Sequence, residues 1–428
     1  MDYDVITIGG GPGGAAASTL LAQRGYKVLL LERSRTPRFK IGESLMPATY
    51  WTLERMGVLP RMQDSHFPKK YSVQFYNKTG KASVPFYFTE TDPSESSQTW
   101  QVLRSEFDAL LLDNAREQGV EIRRGALVKD VLFEGDRGDC ARGVRVELPD
   151  EGEKEIRCRV VVDASGQSAI ISKKLGLRRH DPELKKAAYF THFQGALRDP
   201  GIDEGATLVI RTQEGKSWFW YIPLPDDRVS VGVVGGLDYL VTGRPADPQQ
   251  VFEEEVERCP ALQPRLANAT QVFPVQATRD FSYRSSRIAG DGWVLVGDAF
   301  GFLDPIYSSG VLLALKSGEL AADSVHEGLA ASDLSGARLG AHGPRFTAGM
   351  EAMRKLVYAF YEQDFSFAKF LSRHPEHRLN IIHLLVGNVE QDVGDLFDAM
   401  SWMVRFPKEE TLDTPEVTEP VSLPGAGR

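Results

Sequence analysis

Six residues, Gly9-Gly10-Gly11-Pro12-Gly13-Gly14, stand between an apolar run from Asp2 to Ile8 and a stretch of small residues from Ala15 to Arg24, which leads into a second apolar run, Lys27 to Glu32. That order predicts strand, tight turn, helix and strand. A G-x-G-x-x-G turn in this βαβ setting places a helix N-terminus, with its unpaired amides, at the carboxyl edge of a parallel sheet. Gly9 suits the tight turn, Gly11 the approach of a pyrophosphate to the backbone, and Gly14 close packing of the helix. Glu32, at the end of the second strand, is placed to accept from a ribose hydroxyl. The chain is therefore expected to bind a dinucleotide.

Two more strand-to-glycine junctions follow. An apolar strand from Ile156 to Val162 runs into Asp163-Ala164-Ser165-Gly166-Gln167, and Trp293 to Val296 runs into Gly297-Asp298-Ala299, after which Val311, Leu312, Leu315 and Leu320 take up helical spacing. Between them, a short strand ends at Gln101 to Arg104, and Ser105-x-x-Asp108 is expected to cap a helix through Gln118, with Arg104 able to reach a cofactor. Strands are expected at Ala188 to Gln194, Ala206 to Arg211, Trp218 to Pro223 and Val229 to Gly235, in an antiparallel arrangement. Alternation puts Trp218 and Trp220 on one face, as compatible with core packing as with a functional wall. Lys69 and Lys70 open another strand and, on pattern alone, face solvent. Helices are expected at about Ala341 to Leu371, His377 to Leu385 and Gln391 to Val404, and the Pro- and Glu-rich end, Phe406 to Arg428, reads as a loose tail.

At 428 residues and 42% hydrophobic, the chain can bury more than one core. A net charge of −9, with scattered Lys and Arg, argues against a nucleic-acid surface. Cys140, Cys158 and Cys259 are far apart and lack Cys-x-x-Cys spacing, so neither disulfides nor a metal site is expected. No apolar run approaches the ~18 residues of a membrane span, and the N-terminus opens into a strand, which suggests a cytoplasmic protein.

Taken together, Gly9 to Gly14, Asp163 to Gly166 and Gly297 to Ala299 resemble the three FAD contacts of the flavoprotein monooxygenase superfamily. Trp218-x-Trp220-x-Ile222-Pro223 is similar to the W-x-W-x-I-P motif of flavin-dependent halogenases, and Phe302-x-x-Pro305-x-x-Ser308-x-Gly310 to their F-x-x-P-x-x-S-x-G motif. The resemblance spans nearly the whole chain and looks closest to the halogenases of pyrroles tethered to carrier proteins. It implies an α/β, two-domain fold with a glutathione-reductase-like FAD-binding domain (1–68, 98–186 and 270–345). An inserted antiparallel-sheet substrate domain (69–97 and 187–269), a C-terminal helical cap (346–405) and the tail would complete it.

The same resemblance implies that reduced FAD and oxygen convert chloride or bromide to hypohalous acid, which passes to a lysine and halogenates an electron-rich pyrrole or phenol, free or carrier-bound. Lys70 falls where the family has its essential lysine, with Lys69 as fallback. Glu32, Arg104 and Asp298 take FAD contacts. Trp218 and Trp220 stand between flavin and substrate. Pro305, Ser308, Ser309 and Gly310 form the halide site, with the amides of Ser309 and Gly310 at a helix start favouring an anion. Ile306 to Ser309 add no carboxylate, and Tyr307 stands where free-tryptophan halogenases have a glutamate, which counts against tryptophan as substrate. One dinucleotide fingerprint implies that a separate NAD(P)H flavin reductase supplies reduced FAD. A geranylgeranyl-reductase-like or hydroxylating flavoprotein is the alternative enzyme, and a catalytically silent flavin-binding or partner-binding protein the alternative outside enzymes.

Overall fold

The computed structural model describes residues 1–36, 39–135, 139–279, 282–363, 365–388, 391–408 and 411–413. Of the features expected above, most of the tail lies outside the described residues.

Valine, isoleucine and leucine runs too apolar for a half-exposed sheet form the centre of the first sheet. Tyr3–Ile8 pairs in parallel with Val28–Glu32 on one side and with Gly152–Asp163 on the other, and Gly152–Asp163 pairs in parallel with Trp293–Leu295. The register sets Ile8 against Asp163 and Asp163 against Leu295, so these three strands end side by side. The loops that follow them, at Gly9, Ala164 and Val296, therefore leave the sheet at one edge. The first half of Gly152–Asp163 diverges to pair antiparallel with Cys140–Leu148.

Helices Pro12–Ala22 and Ser309–Ala331 pack against each other. They meet at two glycines: a Cβ on Gly318 would lie 2.4 Å from the Gly13 carbonyl oxygen. Because the first helix is built from Gly and Ala, the backbones come close enough to carry both glycine loops on one rigid layer.

The second sheet runs in the order Thr270–Gln271, Lys186–Gln194, Arg228–Gly236, Ser217–Leu224, Thr207–Arg211, Ser72–Tyr76 and Phe86–Tyr87. It is antiparallel except where Thr207–Arg211 runs parallel to Ser72–Tyr76. Strand alternation sorts its side chains into two cores. Phe190, Val209, Trp218, Trp220 and Ile222 join the main core, while Tyr189, Leu208, Phe219 and Tyr221 face a smaller core with Val251 and Phe252 of helix Pro248–Glu257.

Three local expectations are corrected. Helix Arg104–Glu117 starts two residues early with Leu103 as an uncapped N-cap, because Asp108 pairs with Arg104 and Ser105 lies inside the first turn. The single helix expected from Ala341 to Leu371 is two, Gly343–Tyr361 and Phe367–Arg373. Glu362 turns extended, and the Ser366 side chain accepts from Lys369 N to start the second. The tail begins docked: Phe406 packs edge-on against Phe397, and Asp413 N donates to Ser286 O at 2.8 Å. No described helix is long and apolar enough to cross a membrane.

The glycine contact between the two long helices gives a stability prediction. Gly318→Ala forces a carbon into the Gly13 carbonyl, and overpacking of this kind costs ~1–3 kcal/mol. Urea denaturation should show that loss, and a midpoint equal to wild type would disprove the close contact.

Candidate active site

The three loops at the common sheet edge enclose, with the second sheet, a cavity of about 590 Å³. Gly9, Gly11, Gly14, Glu32, Arg104, Gly297 and Asp298 line it from the first sheet, and Phe190, Val209, Trp220 and Ile222 from the second. The glycines divide their tasks by geometry. Gly9 has φ of +103° and would drive a Cβ into the Ala164 carbonyl, while a Cβ on Gly14 would lie 2.0 Å from the Gly9 oxygen. Gly11 is different, since a Cβ there would meet nothing within 4 Å although the residue lines the cavity. The space beside its backbone is open to a ligand.

Charged groups around this end are already oriented. Glu32 accepts from Gly10 N at 2.8 Å and Ser34 N at 2.7 Å; these amides hold its carboxyl below the usual range although desolvation opposes them. Arg104 is clamped by Asp108, at 2.9 and 3.0 Å, and donates to Ile41 O at 2.6 Å. Asp298 is pushed up to about 6 by desolvation, against the pull of Arg104 and Lys40. Asp163 is placed differently from the other predicted contacts. It does not line the cavity; it is fully buried and accepts from Ser165 N and Ile171 N, shaping the second loop from behind.

The third loop continues into the segment from Phe302 to Gly310. Asp304 caps the turn Pro305–Tyr307 by accepting from Ile306 N at 3.1 Å, an Asp-Pro signal for turn initiation that sequence reading passed over. Ser308 then takes a left-handed conformation, φ 59° and ψ 24°, and helix Ser309–Ala331 begins. A non-glycine residue held there is strained and marks a site the surroundings over-determine. The first amides of that helix have no intrahelical partner. Phe302, Pro305, Ile306, Ser308 and Gly310 line the cavity, and a Cβ on Gly310 would meet nothing within 4 Å. Ser309, 2% exposed, does not line it. Ile306 to Ser309 carry no carboxylate, as expected, but Asp304 stands just ahead of them, buried, with its carboxyl pushed up to about 6 by desolvation.

Strand alternation separates the two lysines. In the short strand Lys69–Lys70, paired with Thr99–Trp100, Lys69 is exposed and Lys70 is 3% exposed, so the solvent-facing expectation holds for the first and fails for the second. Lys70 Nζ donates to Ser44 Oγ at 2.9 Å and Leu45 O at 3.0 Å, and lies 5.4 Å from the centre of the Phe88 ring. Neutral acceptors cannot offset the desolvation of an ammonium, and the amine shifts its protonation instead, down to about 7. Lys70 does not itself line the cavity, but Ser44 and its hydrogen-bonding neighbour Thr207 do. Gln101 completes this cluster, donating to Thr207 Oγ1 at 2.9 Å and Gly205 O at 2.7 Å. Sequence reading missed Thr207 and Gln101 because their meeting with Ser44 joins three distant segments. It missed equally the buried pair Glu43 and His192, 2.7 Å apart.

The two tryptophans share a face, with ring centres 6.4 Å apart, but only Trp220 lines the cavity; Trp218 is buried among the described residues outside it. The arrangement provides a glycine-walled cavity for a dinucleotide, a helix start in its lining, and a buried amine reached through hydroxyl groups.

Comparison with known proteins agrees with this geometry. Residues 2–318 match the FAD binding domain family. The chain is 33% identical over 389 residues to a 1H-pyrrole-2-carbonyl-[peptidyl-carrier protein] brominase of Pseudoalteromonas luteoviolacea, covering 90% of this chain and 92% of the relative. It is 30% identical over 410 residues to the corresponding chlorinase of Pseudomonas fluorescens, covering 91% and 90%. The solved structure of the flavin-dependent brominase Bmp2 superposes with a TM-score of 0.83 at 30% identity, over 94% of this chain and 98% of the other. The open backbone at Gly11 and the fixed Glu32 and Arg104 fit FAD, and the chain belongs to the flavin-dependent halogenases.

Proposed function

We propose that the enzyme halogenates a pyrrole held as a carrier-protein thioester, using chloride or bromide, with Lys70 as the residue that delivers the halogen. The observation that carries this reading is the buried, anion-free setting of Lys70 one hydroxyl from the cavity wall. The pyrrole and its carrier are supported by the substrates named for the brominase and chlorinase. In this reading residues 1–68, 98–186 and 270–345 hold the flavin, 69–97 and 187–269 close the substrate side, and 346–405 form the cap. A separate NAD(P)H flavin reductase supplies reduced cofactor.

When bound, reduced FAD supplies the electrons with which dioxygen oxidises halide to hypohalous acid. The protein's part is positional. The unpaired amide of Gly310, which lines the cavity, holds the halide, favoured by the helix N-terminus. Trp220 and Ile222 keep the aromatic substrate off the flavin. Ser44 and Leu45 O fix the lysine nitrogen. With the amine neutral, its lone pair takes the halogen from hypohalous acid and water leaves; the ring carbon then takes the halogen and gives up its proton. With the amine protonated, an N–H bond to hypohalous acid makes its halogen more electrophilic, and the ring is attacked directly.

Holoenzyme supplied with a flavin reductase, NADH, FAD and bromide or chloride should halogenate pyrrolyl-loaded carrier protein, read by mass spectrometry. Lys70→Ala should abolish product while FAD binding persists, and Lys69→Ala should retain activity. Product from Lys70→Ala, or none from wild type on tethered or free pyrroles and phenols, refutes the assignment. Lys70→Arg separates the two routes, because a guanidinium keeps the hydrogen bond but has no free lone pair.

Burial of Lys70 also has a pH signature. Its folded value near 7 lies below the ordinary 10.5, so between these values the unfolded chain binds a proton that the folded chain does not. Relative to Lys70→Met, wild-type stability should be level below pH 7 and rise from pH 7 toward 10.5, by up to ~1.4 kcal/mol per pH unit. Denaturant midpoints of the two proteins across this range test it, and parallel curves would place the lysine in water.

A further inference from the structure

Trp218 and Trp220 come from one strand and one face, yet their polar atoms are used differently. Trp220 Nε1 donates to Ser230 Oγ at 3.1 Å, within its own sheet. Trp218 Nε1 donates to Tyr361 Oη at 2.9 Å, and Tyr361 Oη donates to Asp304 Oδ2 at 2.8 Å. The direction of this chain is forced. An indole N–H can only donate, so the tyrosine oxygen accepts and its single hydrogen goes to the carboxylate. The other Asp304 oxygen caps Ile306 N, the amide that opens the turn leading to strained Ser308 and Gly310. Three segments thus meet at one carboxylate: the sheet strand Ser217–Leu224, the last residue of helix Gly343–Tyr361, and the loop before the helix start.

Other groups reinforce the same joint. Lys186, from strand Lys186–Gln194 of the same sheet, lies 3.7 Å from the centre of the Tyr361 ring and acts on Asp304 as its nearby positive charge. Tyr307, inside the capped turn, donates to Leu356 O at 3.1 Å. The cap helix therefore grips the loop at two places, Leu356 and Tyr361. Trp218 does not line the cavity, so its position is not that of a wall.

We propose that Trp218 is a positioning residue that acts through Tyr361 and Asp304 to hold the Pro305-to-Gly310 loop in its halide-binding shape, and that the two tryptophans have separate roles. The proposal rests on the halide reading of that loop given above. Charge-assisted hydrogen bonds inside a low-dielectric site polarise one another, so loss of the first donor weakens the second. Trp218→Phe keeps a ring but removes the donor; Tyr361→Phe removes the bond to Asp304 itself.

The test is halide dependence of the holoenzyme with its reductase. Trp218→Phe should raise the KM for bromide about fivefold and Tyr361→Phe about tenfold, the size expected for one hydrogen bond each. In both, kcat at saturating bromide and FAD affinity should stay near wild type. Trp218→Phe/Tyr361→Phe should match Tyr361→Phe alone, because the indole acts only through the phenol. Additive effects, an unchanged KM in Trp218→Phe, or loss of FAD binding in either variant would overturn the proposal. Bromide-induced thermal stabilisation of oxidised holoenzyme provides a second readout that does not depend on turnover, and it should weaken in the same order. If wild type itself shows no saturable bromide dependence in either measurement, the halide reading fails and the proposal falls with it; saturable wild type with unaffected variants sinks the proposal alone.

Discussion

Asp163 sits between Ile8 and Leu295 in a parallel register, and its buried carboxylate accepts from Ser165 N and Ile171 N. The register makes three strands end at one level, and the carboxylate turns the middle loop so that Ala164 and Ser165 lie against Gly9. From that alignment follows the position of everything that meets the cofactor. The pyrophosphate turn, the third loop with Asp298 and the helix that begins at Ser309 all rise from one sheet edge, as ligand sites of open parallel sheets do. The close approach of Gly13 and Gly318 then fixes the helix of the third loop against that of the first, so the two loops cannot move independently.

Features that depend on local chemistry were legible in the sequence. The glycine turn, the three strand ends and the helix carrying Val311 could be read because each is set by residues adjacent in the chain. Alternation also foretold that Trp218 and Trp220 share a face. Features decided by distant partners were not legible. The box expected from Ser105 and Asp108 fails because Arg104, one residue earlier, competes for the same carboxylate. Lys70 reads as a surface residue until Phe88, Ser44 and Leu45 close around it from other segments. Nothing near Trp218 in sequence points to Tyr361, 143 residues away. Motif resemblance identified both tryptophans as a pair, and only the geometry tells them apart.

A cofactor pocket rich in carboxylates repels an anion, and the carboxylates here are met by amides, hydroxyls or nearby cations. Glu43, at the cavity wall, meets buried His192 at 2.7 Å. Asp298 faces Arg104 and Lys40, while Arg104 is itself held by Asp108 so that its charge stays aimed at this end of the cavity. Asp304, nearest in sequence to the helix start, accepts from Tyr361 and Ile306 and feels Lys186. Desolvation raises Asp298 and Asp304 toward 6, which weakens their charge as acidity increases. The lysine follows the same logic in reverse. A carboxylate beside Lys70 would stabilise the ammonium and hold its lone pair closed; with a hydroxyl and a carbonyl as partners the nitrogen is positioned but not charged by its surroundings. The proposed halide site and the proposed lysine thus share one physical cause, burial away from any uncompensated carboxylate: it raises Asp304 and it lowers Lys70.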